Sequence, residues 1–289
     1  MRTIDDVFSK AWTKNFPKAI QIETKSTCTA ACTYCPYSET SKLFPASSMD
    51  DSTFDKIIKE ISVFQPQLIA PYMNNEPLAD KKIFDRLKKI RTSLPDTYID
   101  FATNASLLDE KKAIELISDK YKIDEIKINF VSTIKEEYEL KMGLNYDVVL
   151  KNVVNFSRIA KANDFQGRYR IIIVDSEDPE RDKIFWNRLN MPSKVYKKLS
   201  RGGLIDAQNV IKEQVSGCRF NRQNEWMHII STGDVVLCCM DWHRQHIFGN
   251  VKQSTLYDIW KSSSYDKIRN QIADSADKSF ICNACEWAI

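Results

Sequence analysis

About seventeen residues of mixed pattern open the chain, and a short apolar run at residues 18–23 then predicts a strand. A polar, cysteine-bearing stretch follows. Beyond Met49-Asp50-Asp51, apolar residues recur at helical spacing as Phe54, Ile57, Ile58 and Ile61. The rhythm repeats, with strand-like runs at residues 67–72, 98–103, 123–130 and 169–174 and a weaker one near Val195. Helical patterns at residues 81–93, 109–118, 148–162 and 179–189 separate them. Alternating β and α segments of this size imply parallel βαβ units, closed as a barrel or left as an open sheet.

The alternation stops near residue 200, where Arg201-Gly202-Gly203 reads as a linker. Strand-like residues 226–230 and 234–239 flank Ser231-Thr232-Gly233, a hairpin signal. Short helical stretches at 256–261 and 265–273 precede a terminal cysteine pair. The expected division is a large α/β domain over residues 1–200 and a small cysteine-bearing module over 201–289, with no internal repeat.

Composition narrows the class. The chain has 289 residues, 43% of them apolar and 28% charged, as in an ordinary globular protein. A net charge of +3 implies no nucleic-acid partner. No apolar run approaches the roughly 18–20 residues of a membrane span, and the acid-containing N-terminus lacks the apolar core of a secretory signal. The expected location is therefore the cytoplasm. In that reducing compartment the eight cysteines read as metal ligands or catalysts, not disulfides.

Three of them, Cys28, Cys32 and Cys35, form C-x3-C-x2-C directly after the first strand. Three thiolates so spaced can ligate three irons of a [4Fe–4S] cubane and leave the fourth open. Ferredoxins and zinc sites use other spacings. The motif and its setting resemble the radical S-adenosylmethionine (AdoMet) superfamily, and the resemblance spans almost the whole chain. It implies that the amino and carboxylate groups of AdoMet chelate the open iron. It also implies that one-electron reduction cleaves AdoMet to a 5′-deoxyadenosyl radical. By the same resemblance, Tyr34 lies by the adenine, and Asn74, Asn75 and Glu76 of Asn-Asn-Glu-Pro stand where Gly-Gly-Glu-Pro binds the AdoMet amino group. Asn104, in Thr-Asn-Ala, and Ser132 occupy later AdoMet-contact positions. Each is also an ordinary turn residue. Their order at the ends of successive strands is what groups them.

The other five cysteines lie beyond residue 200. Cys218, Gly233 and Cys238 form C-x14-G-x4-C, which resembles the start of the SPASM auxiliary-cluster domain. With Cys282 and Cys285 alone remaining, the module is similar to the shortened "twitch" form, which holds one [4Fe–4S] cluster on four cysteines. Four cysteines also suit a structural zinc ion, so both readings stand at this point. Cys239 is left over, either a small packed residue or a hydrogen-atom donor to a substrate radical. His228 reads as a packed strand residue and His243 as part of a solvated loop. Asp175, Glu177 and Asp178 follow the fifth strand, where a substrate base could stand, and Asp178 equally suits a helix cap before Pro179. Arg170 could face the barrel mouth as a cation for a substrate or the AdoMet carboxylate. None of these is assigned a role.

The resulting expectation is a partial (β/α)6 TIM-like barrel followed by a small α+β twitch/SPASM-like module, with two [4Fe–4S] clusters and AdoMet as cofactors. Similarity to a short dehydrogenase of the family implies oxidation of a small polar substrate, a carbohydrate or cyclitol alcohol, with the auxiliary cluster accepting an electron. A reductase or a flavodoxin- or ferredoxin-type protein is the expected electron donor. Epimerisation through Cys239, peptide side-chain modification and a zinc-stabilised binding module are the rivals.

Overall fold

The computed structural model describes residues 3–10, 12, 15–205, 212–273 and 280–289. In chain order they form helix α1 (Ile4–Ser9), strand β1 (Ala19–Ile22), α2 (Tyr37–Leu43), α3 (Asp51–Phe64), β2 (Leu68–Ala70) and α4 (Ile83–Ser93). Next come β3 (Tyr98–Thr103), α5 (Glu110–Leu116), β4 (Glu125–Asn129), α6 (Lys135–Met142), α7 (Tyr146–Ala162), β5 (Arg168–Val174), α8 (Pro179–Arg188) and β6 (Ser193–Tyr196). The last stretch contains α9 (Arg222–Glu225), β7 (Trp226–Ile229), β8 (Asp234–Val236), β9 (Ile247–Asn250), α10 (Leu256–Trp260) and α11 (Ser263–Ala273).

The strands make one sheet in the order β6-β5-β4-β3-β2-β1-β7-β8-β9. The pairs from β6 through β1 to β7 are parallel, and only the β7–β8 and β8–β9 pairs are antiparallel. With β6 and β9 as free edges, the sheet is an open α/β arc, a partial barrel. The hairpin expected beyond residue 200 is present, and it extends the main sheet by laying Trp226 and His228 beside Ala19 and Gln21.

Strand alternation divides the sheet's faces. Ile20, Ile22, Ile69, Ile99 and Phe101 point toward the helices and share their core with the α3 stripe Phe54, Ile57, Ile58 and Ile61. Asp50 starts that helix by accepting from the Thr53 N–H at 2.7 Å. Asp178 likewise caps α8 ahead of Pro179, which accounts for it as a structural residue. On the opposite face Ala19, Leu68, Ala70 and Tyr98 pack with Val7 of α1, and Phe8 stacks on Trp226 at 5.5 Å. Helix α1 therefore covers the end of this inner face where the strands begin.

Further along the inner face lies a polar layer. The Tyr72 hydroxyl and the Lys127 ammonium both donate to Asp100 Oδ2, at 2.8 and 2.7 Å. Arg170 is tied to Glu125 on the neighbouring strand, so it is held in an ion pair. His228 is fully buried, and burial holds it neutral.

Candidate active site: two cysteine-lined cavities

The first cavity opens where strands β1 to β5 end. Cys28, Cys32 and Cys35 line it together with Tyr34, Asn74, Asn75, Glu76 and Asn104. The loop after β1 is fixed by a bond from the Cys28 N–H to the Tyr37 hydroxyl (2.8 Å) and by a tight turn from the Cys35 N–H to the Cys32 carbonyl (3.1 Å). Asn104 reaches across from the end of β3, its Nδ2 3.0 Å from Thr29 Oγ1 and 3.7 Å from Cys28 Sγ. Burial pushes the Cys28 and Cys32 thiols up to about 12, so any metal taken up here displaces protons.

Glu76 joins two strand ends. Its Oε1 accepts from Thr103 Oγ1 (2.7 Å) and the Leu78 N–H (3.0 Å), and its Oε2 from the Asn104 N–H (2.7 Å). Burial nevertheless pushes this carboxyl up to about 7, against the lowering effect of those donors. Asn75 accepts from the Met73 N–H through Oδ1 at 2.9 Å, and its Nδ2 is buried without a partner. Trp242 Nε1 on the same wall is also an unpaired buried donor. Ser132 is not part of this wall. Its hydroxyl is buried between Glu137 Oε2 (2.6 Å) and Arg181 Nη2 (3.0 Å), and it caps the turn into α6 by accepting from the Ile134 N–H. A small hydroxyl so enclosed serves the turn.

Helix α6 carries the cysteine loop. The Ala31 and Thr33 N–H groups donate to the last carbonyls of that helix, Met142 (3.0 Å) and Lys141 (2.9 Å). Met142 Sδ sits 2.7 Å from the Tyr34 hydroxyl and 3.6 Å from Cys32 Sγ. Gly143 ends the helix with φ 65°, and a Cβ there would lie 3.2 Å from the Ala31 Cβ. Gly143→Val is expected to cost about 1–2 kcal/mol for a left-handed branched residue. It should also lower iron uptake at the first cavity, as measured by denaturation midpoint and iron content.

The second cavity lies between the end of β8, the segment before α9 and the C-terminal residues. Cys218, Cys238, Cys282 and Cys285 all line it. Cys218 pairs across to Ala288 in an isolated bridge, and the Arg219 N–H donates to the Trp287 carbonyl at 2.7 Å, so the tail closes against the Cys218 segment. Cys239 is turned out of this wall, with its Sγ 2.8 Å from Arg222 Nη1. All eight thiols are free. Among the described residues no three His, Cys, Asp or Glu side chains converge as a single-ion site requires.

Sequence reasoning passed over several wall residues. Tyr72 ends an apolar run and Met142 a charged one, neither of them marked, and Arg201, read as part of a linker, lines the first cavity. Trp242 follows Cys238 and Cys239 by a few residues, and that proximity was the available signal. Arg222 had none.

The SPASM iron–sulfur cluster-binding domain model matches residues 218–286. S-adenosyl-L-methionine-dependent 2-deoxy-scyllo-inosamine dehydrogenase from Niallia circulans is 20% identical over 268 residues, 92% of this chain and 91% of that protein. Among solved structures, BtrN in complex with AdoMet and 2-DOIA superposes with a TM-score of 0.66 at 16% identity, covering 94% of this chain and 93% of that one. Native anSMEcpe with bound AdoMet gives 0.65 at 16% identity over 93% and 86%. Streptococcus suis SuiB bound to precursor peptide SuiA gives 0.66 at 15% over 94% and 70%. No helix among the described residues is long and apolar enough to cross a membrane. With the cysteine loop at the mouth of an open, mainly parallel sheet, the chain has the fold of these AdoMet-binding enzymes, and its residues 218–286 match the SPASM iron–sulfur cluster-binding domain model.

Proposed function

We propose that this chain is a radical AdoMet oxidoreductase acting on a small polar substrate, a carbohydrate or cyclitol alcohol. In this reading residues 1–200 form the AdoMet-binding barrel and residues 201–289 the auxiliary module. The observation that carries it is the separation of the cysteines into three around one cavity and four around another. Three thiols leave an iron open for AdoMet, and four complete a closed cluster. When bound, these groups supply reductive cleavage of AdoMet to an adenosyl radical, hydrogen abstraction from the substrate, and an acceptor for the electron left on it.

The chain's own residues bind and orient. Cys28, Cys32 and Cys35 hold the first cluster, and Cys218, Cys238, Cys282 and Cys285 the second. Asn74, Asn75 and Glu76 would receive the AdoMet ammonium, while Asn75 Nδ2 and Trp242 Nε1 are unpaired buried donors that would suit its carboxylate or ribose. Tyr34 and Met142 wall the adenine side, and Asn104 braces the loop at Cys28. The initiating electron comes from a reductase or a flavodoxin- or ferredoxin-type donor in a reducing cytoplasm.

Peptide modification is the second reading, favoured by the likeness to SuiB with its precursor peptide and to anSMEcpe with a bound peptide. Release of 5′-deoxyadenosine from reconstituted protein separates them. Polyols and aminocyclitols, 2-deoxy-scyllo-inosamine among them, should raise release at least tenfold over the substrate-free rate and leave the auxiliary cluster reduced. A rise with peptides alone would overturn the small-substrate reading. Solvent deuterium at an inverted carbon, lost in Cys239→Ala, would replace oxidation by epimerisation.

A further inference from the structure

The second cavity contains a cation that no carboxylate balances. Arg222 begins α9 one turn beyond Cys218. It is placed there by a 2.7 Å bond from the Asn221 N–H to the Cys218 carbonyl and by the left-handed backbone of Asn221 (φ 48°). Its guanidinium lines the cavity with Cys218, Cys238, Cys282 and Cys285. Nη1 lies 2.8 Å from Cys239 Sγ, and Nε is buried with no partner. Three other inward guanidiniums meet carboxylates: Arg86 with Asp80 at 3.0 Å, Arg91 with Asp124 at 3.3 Å, Arg170 with Glu125. Among the described residues no such ion pair holds Arg222.

A guanidinium brought into a protein wall without a counter-charge is costly unless an anion arrives. A [4Fe–4S] group on four thiolates is an anion in each of its states and gains one further negative charge on reduction. We propose that Arg222 is the counter-ion of the auxiliary cluster and favours its reduced state, poising it to take an electron. The Coulomb attraction grows with the charge added on reduction, so a fixed cation in the cluster's wall raises the potential. Arg222 is a positioning residue in this role: it acts on the acceptor without touching substrate. The inference rests on the reading of Cys218, Cys238, Cys282 and Cys285 as cluster ligands.

The test uses full-length protein carrying Cys28/Cys32/Cys35→Ala, so that only the second cavity loads iron. It compares Arg222 with Arg222→Lys, Arg222→Gln and Arg222→Met by iron content and by spectroelectrochemical titration. The neutral variants should lower the equilibrium constant for reduction about tenfold, equivalent to 59 mV for a one-electron couple. Arg222→Lys should keep most of the wild-type value. Loaded neutral variants whose constant stays within twofold of wild type would overturn the proposal. So would neutral variants that fail to load while Arg222→Lys loads, because the charge would then serve assembly. If the parent protein itself takes up no iron, the ligand reading fails instead, an outcome distinct from the other two.

Discussion

Replacing Cys28, Cys32 and Cys35 together by alanine should abolish AdoMet cleavage and leave the second cavity's iron in place. The three thiols sit on a loop that hangs from the end of β1 and the C-terminus of α6. The helix-facing core, from Phe54 to Trp186, takes only Tyr34 and the edge of Cys32 from this loop. Alanine keeps the backbone bonds of Ala31, Thr33 and Cys35 and removes only the thiols, so the fold should persist. With no group left to deliver the electron, 5′-deoxyadenosine formation should fall more than about a thousandfold, at least 4 kcal/mol of barrier. The independence of the second site follows from its construction: β8, the segment before α9 and the C-terminal residues close it, and none of them belongs to the cysteine loop. Chromatographic assay of 5′-deoxyadenosine with circular dichroism checks both halves. Activity retained in the triple variant would contradict the assignment.

Glu76→Gln should weaken AdoMet binding about tenfold to a hundredfold, the scale of a charge-assisted hydrogen bond. Its more telling effect is on pH. Burial pushes the Glu76 carboxyl up to about 7, so below that pH it is protonated and cannot pair with an ammonium. Affinity in the wild type should therefore fall as pH drops from 8 to 6. In Glu76→Gln the fall should disappear, leaving the weaker value at both ends. The same shift links to folding with the opposite sense. A raised folded value makes the group's stabilising contribution complete below the unfolded value near 4.5 and lost as pH rises through about 7. Calorimetric titration of cluster-loaded protein at the two pH values measures the binding effect. A pH slope that survives in Glu76→Gln would place the ammonium elsewhere.

Much of the fold was legible because its signals are local. The strand at 98–103 and the helix starting after Asp50 announce themselves through alternation, apolar spacing and a capping aspartate. Helix α6 gave no such signal: Lys-Glu-Glu-Tyr-Glu-Leu-Lys-Met buries Tyr138 and Met142 but lacks an apolar stripe, and it is held by its bonds to the cysteine loop. Helix α1 buries one side chain, Val7, and depends on the inner sheet face to form. The cysteines could be grouped because C-x3-C-x2-C and C-x2-C spacings have few structural meanings. Ser132 shows the limit. Position after a strand suggested a ligand contact, while Glu137 and Arg181, five and forty-nine residues away, decide what its hydroxyl does. The unpaired state of Arg222 is likewise a property of folded space, invisible in the order of residues.

The most direct test of the two-cavity account is an iron and sulfide count after anaerobic reconstitution, on wild type and on the Cys28/Cys32/Cys35→Ala variant. One cubane per cysteine set gives roughly eight irons and eight sulfides in the wild type and about four of each in the variant. A variant that loses all its iron and retains zinc would contradict the account, leaving the second cavity a structural site with no part in electron transfer.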